Sequence, residues 1–350
     1  MPKLVVTSIG PASSVQDAGR PGAQRYGLPP SGVMDRLSLA AANVLVGNAP
    51  MAAAIELGPF GAAFTARGGP VRVALSGAQR NADIAKHSVA SDTSVTIADG
   101  ETLTLGFARN GCFSYLAIEG GIVGEAVFGS LSVNARAGLG SPYPRPLQAG
   151  DELEVAAASD MTERRIELPA VSDAPIRVVL GPQDDEFSDD AKALFLRSEW
   201  KISATSDRMG YRLEGPVIRH LHGHNIVSDG TMNGSIQVPG NGQPIVLMPD
   251  RGTTGGYPKI ATVISADFGR FAQISAGRSF HFKAVSMAEA QAEARKFAGL
   301  LRSLPERLRA DGAEFNIEAL ADANVAGHAV SAVDAGTWHP FAHSESEQAP

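Results

Sequence analysis

Short apolar runs dominate the hydrophobic pattern of this chain, and Gly, Pro, Asn or Asp interrupts them about every eight to twelve residues. This rhythm is typical of short strands in a β-barrel or β-sandwich. We therefore expect a mainly β protein. The clearest strand predictions are residues 71–75, 94–97, 102–105, 113–118, 152–155, 176–180, 245–248, 260–264 and 279–282.

Three segments carry helix signals instead. Residues 35–46 begin with an acid and are followed by Gly47, which suits a left-handed C-terminal cap. Residues 188–197 begin with a serine that can cap the helix. A third helix begins at Ser286, where Ser286 and Glu289 form a capping box and apolar residues then recur at helical spacing. We expect this last helix to pack on the β-structure.

A weak internal repeat divides the β-rich part of the chain in two. Residues 149–155 and 276–282 each combine a turn with an alternating strand. The strand at 70–75 precedes a Ser-Gly-Ala loop, as the strand at 244–248 precedes an Asp-Arg-Gly-Thr-Thr loop. We interpret these segments as two related β-barrel halves, with a boundary in the Ala- and acid-rich segment 156–174.

Composition and charge narrow the class of protein. The formal net charge of −7 and the lack of a basic run argue against nucleic acid and anionic membranes as partners. Cys112 is the single cysteine, so one chain forms neither a disulfide nor a thiolate metal cluster. We recognise no signal peptide and no apolar stretch long enough to span a bilayer. A cytoplasmic protein is expected.

The segment 237–257 has the most distinctive chemistry. Two apolar runs flank Pro-Gly-Asn-Gly, which predicts a hairpin, and the second strand leads into a polar, glycine-rich loop. Backbone N–H groups of such a loop can form an anion-binding concavity. The alternative is a tight turn whose Asp and Thr side chains bind their own backbone. The loop contains Asp250, Arg251, Thr253, Thr254, Gly255, Gly256 and Tyr257.

Two further polar segments resemble this loop in composition. Residues 14–22 form a glycine-rich loop with Asp17 and Arg20, and residues 206–213 contain Asp207 and Arg208. Arginines suit the recognition of carboxylate or phosphate groups. Arg208 and Arg251 are the predicted anion-binding pair, and the alternative for both is a salt bridge at the surface or between domains. Candidate acid–base groups are Asp17, Asp35, Asp207 and Asp250.

Several other features favour a structural role. His220, His222 and His224 would share one face of a strand and form a metal site, but their neighbours favour an exposed loop, so no metal is predicted. Cys112 is expected to be a packed thiol. Asn43, near Asn48 and Glu56, is also expected to be structural. The chain has no P-loop, no Rossmann glycine motif and no nucleophile elbow.

An ordered set of motifs resembles one known family, the C subunit of the bacterial ATP-dependent 5-oxoprolinase. Members are also described as biotin-dependent carboxyltransferase, as allophanate hydrolase subunit 2 and as antagonist of a sporulation-kinase inhibitor. The motifs span about the first 285 residues: VQDAGRPGAQRYG (15–27), SGVMD (31–35), ANVLVGN (42–48), SDRMGYRLEG (206–215), IQVPGNGQPIVLM (236–248) and DRGTTGGY (250–257).

The resemblance implies a mainly β fold of two tandem cyclophilin-like β-barrel halves with a few peripheral helices. We expect the first half at residues 1–157, a linker at 158–174, the second half at 175–285, a C-terminal helical extension at 286–335 and a disordered tail at 336–350.

The resemblance also implies one component of an enzyme that is active only with its partners. The B-subunit homologue would bind directly, and an A-subunit homologue would complete the reaction. The complex would use ATP with Mg²⁺, shared with a partner protein, to activate 5-oxoproline or a similar small amide or lactam for hydrolysis to glutamate. Expected catalytic residues are Asp17, Arg208, Asp250 and Arg251; expected substrate-binding residues are Arg20, Gln237, Thr253, Thr254, Gly255, Gly256 and Tyr257.

The chain departs from the family pattern at residues 131 and 133 and in the following glycine-rich piece, residues 138–143. Gly-Ser-Leu-Ser-Val stands where the family has Gly-Ser-Arg-Ser-Thr, so Leu131 replaces an arginine and Val133 a threonine. Two alternatives therefore stay open. One is a biotin-dependent carboxyltransferase component acting on urea or a related amide, with biotin on a separate carrier. The other is a regulatory protein that binds the B-subunit homologue without turnover.

Overall fold

The structure, a computed structural model, describes residues 1–310. Strands account for most of its regular elements, as the mainly β prediction required. The helices are α1 (Arg36–Leu45), α2 (Asp189–Arg197), α3 (Ser265–Ala272) and α4 (Met287–Ser303), with short 3-10 turns at Ala23–Tyr26, Asp184–Glu186 and Leu304–Arg307. The strands are β1 (Lys3–Ile9), β2 (Ser14–Gln16), β3 (Ala54–Leu57), β4 (Ala62–Arg67), β5 (Val71–Gln79), β6 (Ala82–Ile84), β7 (His87–Ser88), β8 (Thr93–Ile97), β9 (Thr102–Leu105), β10 (Arg109–Ile118), β11 (Glu152–Glu154), β12 (Arg164–Ile166), β13 (Ile176–Leu180), β14 (Trp200–Ile202), β15 (Gly210–Glu214), β16 (Asp229–Gly230), β17 (Ser235–Gln237), β18 (Ile245–Leu247), β19 (Thr254–Gly255), β20 (Lys259–Val263), β21 (Ser279–Phe280), β22 (Phe282–Ala284) and β23 (Leu308–Ala310).

The strands form three large sheets and one small ribbon. The first sheet has the order β11-β1-β4-β9-β6-β7, and the second has the order β2-β3-β10-β5-β8-β12-β23. The third sheet has the order β21-β14-β15-β18-β17-β20-β13-β22, and β16 pairs only with β19. All strand pairs in this set are antiparallel except β13 with β22. The cyclophilin-like form of each half and the domain boundaries stay predictions.

The buried apolar side chains gather in clusters that follow these sheets. One cluster draws its residues from positions 4–155 and fills the space between the first two sheets. A second draws on residues 176–282, with Met34 as its contribution from the N-terminal part of the chain. A third lies around α1, which packs on β5 and β10. Each part of the chain therefore has its own apolar core. Burial of these side chains is the main favourable contribution to folding.

The three predicted helices are confirmed, and their ends follow the predicted signals. The Asp35 carboxylate accepts hydrogen bonds from Leu37 N and Ser38 N at the start of α1, and Gly47 has a φ of +74°. Ser188 caps α2 through Ala191 N. At α4 both hydrogen bonds of the capping box are present. These local interactions satisfy backbone groups that have no partner inside the helix.

The structure also differs from the sequence-based expectations. Helix α3 was not predicted, because its eight residues include a glycine and no capping side chain. The expected Ser-Gly-Ala loop after residue 75 is wrong, since β5 continues as far as Gln79. The predicted linker contains β12, which pairs with β8 and with β23 from the C-terminal extension. The rest of that extension and the predicted tail, residues 311–350, lie outside the described residues.

Candidate functional site

The predicted hairpin carries the candidate site. Strands β17 and β18 pair antiparallel, and the chain after β18 enters the loop 249–258. This loop meets the N-terminal segment that follows the glycine-rich loop, because Ser31 N donates to Pro249 O at 3.1 Å. Gln24 Nε2 donates to Thr253 O at 3.1 Å from the same side. Segments more than 200 positions apart thus form one polar region.

Arg251 lies inside this region and is only 3% exposed. Its Nη1 donates to Asn233 Oδ1, and its Nη2 donates to Gln24 Oε1 at 3.1 Å and to Thr231 O at 3.2 Å. The Nε atom is buried and makes no hydrogen bond in the part of the chain that is described. Burial among neutral partners lowers the pKa of Arg251 to about 10. Among residues 1–310, Arg251 is therefore a buried cation without a carboxylate to balance it, which is costly unless a ligand supplies the negative charge.

Arg208, the second predicted anion-binding residue, has two carboxylates. Its Nε donates to Asp250 Oδ2 at 2.9 Å, and its Nη1 donates to Glu56 Oε1. Its Nη2 donates to Gly32 O at 2.6 Å. The side chain is only 13% exposed, so this is a buried ion-pair network that joins β3 to the loop after β18. For Arg208 the sequence left two possibilities, anion binding and a salt bridge. The observed geometry is that of a salt bridge between distant parts of the chain.

Glu56 is fully buried at the centre of that network. Its Oε2 accepts hydrogen bonds from Met34 N and from the Tyr115 hydroxyl, both at 2.8 Å. Burial raises the pKa of Glu56, while the charge of Arg208 opposes this effect. The sequence had indicated Glu56 only as part of a structural polar cluster. Its role in holding Arg208 depends on a contact between positions 152 residues apart.

Asp17 organises the segment that departs from the family pattern. Its carboxylate accepts hydrogen bonds from Ser130 Oγ at 2.6 Å, from Leu131 N at 2.7 Å and from Gly19 N at 2.8 Å. Ser132 Oγ donates to the same carboxylate. The Leu131 side chain packs against the first apolar cluster. Neutral donors thus occupy both carboxylate oxygens of Asp17. This geometry favours a role in holding the loop at residues 130–132 over a role in proton transfer.

Arg20 lies beside this loop and is completely buried. Its Nη2 donates to Ser132 O, while Nε and Nη1 have no hydrogen-bond partner within the described residues. Burial lowers the pKa of Arg20, and the charges of Asp17 and Asp250 act in the opposite direction. Two donor atoms of the Arg20 guanidinium are therefore buried without a hydrogen-bond partner among the described residues, which is costly for a cation.

The remaining predicted substrate-binding residues cluster around β19. Thr254 and Gly255 pair with β16, and a Cβ on Gly255 would lie 2.2 Å from Gln237 Nε2. A side chain at position 255 would therefore require the end of the Gln237 side chain to move. Tyr257 is 39% exposed, and its carbonyl accepts from Gln237 Nε2 at 3.5 Å. The backbone of Gly256 contacts the loop before β16, through Ile226 N to Gly256 O at 2.9 Å.

Other candidates lie elsewhere or have structural partners. Asp35 caps α1, and the exposed Asp207 accepts from Met209 N and Gly210 N in a turn. Residues 215–228 contain no strand, so the three histidines do not share a strand face. Burial raises the pKa of the Cys112 thiol, as expected for a packed cysteine. Within residues 1–310 no group of three or more His, Cys, Asp or Glu side chains could hold a metal ion.

Comparison with known proteins identifies the family. A family model for the carboxyltransferase domain, subdomain A and B, matches residues 26–284, which is well over half of the chain.

The chain belongs to the carboxyltransferase domain family.

Relatives of this carboxyltransferase-domain chain include two bacterial proteins. The C subunit of 5-oxoprolinase from Escherichia coli (strain K12) is 38% identical over 290 residues, which is 82% of this chain and 93% of that protein. The C subunit of 5-oxoprolinase from Haemophilus influenzae (strain ATCC 51907 / DSM 11121 / KW20 / Rd) is 35% identical over 83% of this chain and 94% of that protein. The crystal structure of K. lactis urea amidolyase aligns with a TM-score of 0.80 at 27% identity, covering 86% of this chain but 20% of that one.

The family match and the site overlap only in part. The carboxyltransferase-domain range contains Arg208, Asp250 and Arg251, whereas Asp17 and Arg20 precede its first matched residue. Sequence reasoning missed Gln24 and Asn233, the side chains that hold Arg251. Gln24 lies within the motif at residues 15–27, but no sequence pattern around Asn233 indicates a functional role. The catalytic and substrate-binding roles assigned from the sequence stay predictions. Within the described residues no helix has the length and apolar character needed to cross a membrane.

Proposed function

We propose that this protein is the C-type subunit of an ATP-dependent 5-oxoprolinase complex, which activates 5-oxoproline or a similar small lactam for hydrolysis to glutamate. The proposal is supported by 38% identity across 93% of the C subunit of E. coli 5-oxoprolinase. The observation that carries it is the buried Arg251, whose hydrogen-bond partners are all neutral. The substrate of such an enzyme is a carboxylate, which would balance this charge.

The residue types around Arg251 suit a small polar substrate in this proposal. The unpartnered Nε of Arg251 and the free N–H groups of Arg20 are donors for a carboxylate or for charge that develops during reaction. A lactam amide is a poor electrophile, and transfer of a phosphoryl group to its oxygen creates a leaving group. Arg208 and Asp250, which hold each other, would fix the loop that presents Arg251 to the substrate.

ATP and Mg²⁺ are assigned mainly to a partner protein in this proposal. Protein-bound Mg²⁺ is usually held by one or two carboxylates together with substrate phosphates. Three carboxylates of the segments that form the candidate site, Asp17, Asp229 and Asp250, are each bound to donors of this chain. The described residues thus offer cations for anionic groups and poor ligands for the metal. Homologues of the B and A subunits would complete the complex, with the B-subunit homologue in direct contact.

ADP release that depends on 5-oxoproline tests the proposal. It should be measured with this chain alone, with the B-subunit homologue, and with both the B- and A-subunit homologues. We expect ADP and glutamate only in the full mixture. A confirmed complex without turnover of 5-oxoproline or related lactams would contradict the proposal.

Substitution of Arg251 tests its assigned role. We expect Arg251→Ala to weaken 5-oxoproline binding by roughly 10- to 100-fold, the usual size of a hydrogen bond to a charged group. Arg251→Lys keeps the charge and should retain part of the affinity, although it loses the planar donor geometry. Arg67→Ala, at an exposed arginine at the end of β4, is the matched control and should bind as the wild type does. Equal affinities for all variants would exclude Arg251 from the substrate site.

Carboxyl transfer is a second candidate function. It is favoured by the family description and by the structural likeness to K. lactis urea amidolyase. In this case the chain would act on urea or a related amide and use biotin on a separate carrier. The two candidates differ in one assay, because avidin should inhibit the complex only if biotin takes part. Binding of the B-subunit homologue with neither activity would favour the regulatory alternative.

A further inference from the structure

Helix α4 leaves part of its apolar face uncovered. The helix contacts α3 and β13, yet none of its residues is fully buried. Its apolar residues recur at helical spacing, and four of them line a cavity beside the third sheet: Met287, Ala290, Ala294 and Phe297. Two of these four are alanines, whose short side chains leave space between α4 and the elements that it faces.

This cavity has a volume of about 590 Å³ and lies between α4, α3 and the ends of β13 and β20. Small-molecule sites usually have volumes of roughly 300–1,000 Å³. The walls are mainly apolar, and Val179, Leu180, Phe268 and Phe297 supply their large side chains. Val179, Leu180 and Phe297 are only half-buried, so they keep apolar surface in contact with solvent. An apolar ligand that covers this surface would gain free energy from its burial.

Arg36 is the charged residue of the cavity wall. Among the described residues that line the cavity it is the single cation, and no acid is present. Arg36 is exposed and has neither a hydrogen bond nor an ion pair within residues 1–310. The wall therefore combines apolar surface with one positive charge that no protein carboxylate balances.

The position of Arg36 follows from the close approach of α1 to α3. A Cβ on Gly269 would lie 2.8 Å from Asp35 Oδ1 and 3.4 Å from Asp35 Cα. The absence of a side chain at Gly269 thus lets the start of α1 approach α3. Arg36 directly follows Asp35, and this places it at the cavity wall that α3 forms.

The cavity is separate from the candidate site, although one residue belongs to both. Asn233 lines the cavity, and its Oδ1 accepts a hydrogen bond from Arg251 Nη1. The predicted catalytic residues Asp17, Arg208, Asp250 and Arg251 do not line the cavity, and neither does Arg20. A ligand in the cavity would therefore lie beside the substrate loop and not in it.

We infer that this cavity binds a small carboxylate with an apolar body. The carboxylate group lies at Arg36, because a guanidinium matches the geometry of a carboxylate and no acid of the wall repels it. The apolar body packs against β13, α3 and α4, where a second charged group would be desolvated without compensation. The inference does not depend on the proposed function, because Arg251 and its loop lie outside the cavity.

Calorimetric titration with octanoate, and with octanol as its uncharged counterpart, tests this inference. The full-length chain should be titrated alone and in complex with the B-subunit homologue. We expect one octanoate per chain in both cases, and weaker binding of octanol. Arg36→Gln should weaken octanoate binding by up to about fivefold, the range of an exposed ion pair, and leave octanol binding unchanged. Arg67→Gln, at the exposed arginine that ends β4, is the control.

Filling the cavity tests the position of the apolar body. Ala294→Trp places an indole where the ligand would lie and should weaken the binding of both octanoate and octanol by roughly 10-fold or more. Ala288→Trp is the matched control, because Ala288 is an exposed residue of α4 that does not line the cavity. It should leave both affinities unchanged.

Four results would overturn the inference. Octanoate may show no saturable binding, or its affinity may survive Ala294→Trp in a protein with an unchanged circular dichroism spectrum. Arg36→Gln may weaken octanoate and octanol equally. Binding that is lost in the complex would show that the B-subunit homologue, and not a small carboxylate, covers the cavity. A failure of the proposed function is separate, because it would appear as a lack of ADP release while octanoate binding persisted.

Discussion

Glu56 and Arg208 show how a single buried pair supports the candidate loop. Glu56 Oε1 faces Arg208, and Oε2 faces the N–H of Met34 and the Tyr115 hydroxyl. Every contact requires an acceptor at the Glu56 position. Arg208 in turn donates a hydrogen bond to Asp250. The identity of residue 56 therefore affects the start of the loop that contains Arg251.

We expect Glu56→Gln to destabilise the fold by about 3–5 kcal/mol, because either orientation of the amide directs N–H groups at another donor. Urea unfolding of the purified chain measures this change. Glu152→Gln is the matched control, since Glu152 pairs with Lys3 on the surface, where solvent screens the interaction, and its loss should change the stability little. Similar effects of the two substitutions would show that Glu56 is not ionised in the native protein.

At the scale of elements, α3 shows how tertiary contacts hold a helix with weak local signals. Asp267 in its first turn accepts from Arg177 N at 2.8 Å and from Arg177 Nη2 at 2.7 Å on β13, and from Arg270 Nη2 at 2.9 Å. Burial alone would raise the pKa of Asp267, but the hydrogen bonds from Arg177 outweigh it and the pKa lies below the ordinary value of 3.8. The helix is thus fixed to the third sheet by an ionised carboxylate.

Asp267→Asn should cost about 1–3 kcal/mol of unfolding free energy near neutral pH. Because the folded-state pKa of Asp267 is depressed, its contribution is complete above the unfolded value and is lost as the pH falls through the folded value. The difference between wild type and variant should therefore shrink below about pH 4. Urea unfolding at several pH values measures it, with Asp83→Asn as an exposed control. A difference that stays constant with pH would mean that Asp267 acts by packing alone.

At the scale of the molecule, side chains from the two parts of the chain interlock. Gln273, at the end of α3, accepts from Cys112 N at 2.8 Å and from Phe113 N at 2.9 Å. Its Nε2 donates to Phe113 O at 2.9 Å and to Asp35 Oδ2 at 3.0 Å. Together with Arg208 and Glu56, this residue ties β10 and α1 to the third sheet. These polar contacts join the two parts of the chain that contribute residues to the candidate site.

Gln273→Glu should weaken this tie by about 1–3 kcal/mol, because it places a second carboxylate beside Asp35 and the carbonyl of Phe113. The penalty should decrease as the pH falls, since burial beside Asp35 favours the protonated form of the introduced carboxyl. Urea unfolding followed by tryptophan fluorescence and by circular dichroism would detect loss of cooperativity between the two parts. Gln291→Glu on the exposed side of α4 is the control. Unchanged stability at every pH would mean that Gln273 does not couple the parts.

Local signals allowed much of the secondary structure to be predicted. Residues 102–105 and 176–180 were predicted as strands with the observed bounds, and Ser286 was predicted as the cap of α4. These elements depend on alternation, turn residues and capping, which act over a few positions. The short ribbon strands β16 and β19 have no such pattern, since each is two residues long and forms only by pairing with the other.

The sequence by itself determined the mainly β composition, the capped helices, the hairpin before the candidate loop and, through its ordered motifs, the family. It also marked Arg208 and Arg251 as candidates for anion binding and Arg20 as a candidate for substrate binding. Only the tertiary structure decided how their charges are balanced. Arg208 has Glu56 and Asp250, whereas Arg251 has neutral partners. The physical reason is that the cost of a buried charge depends on its neighbours in space, and these lie up to 227 residues away in the chain.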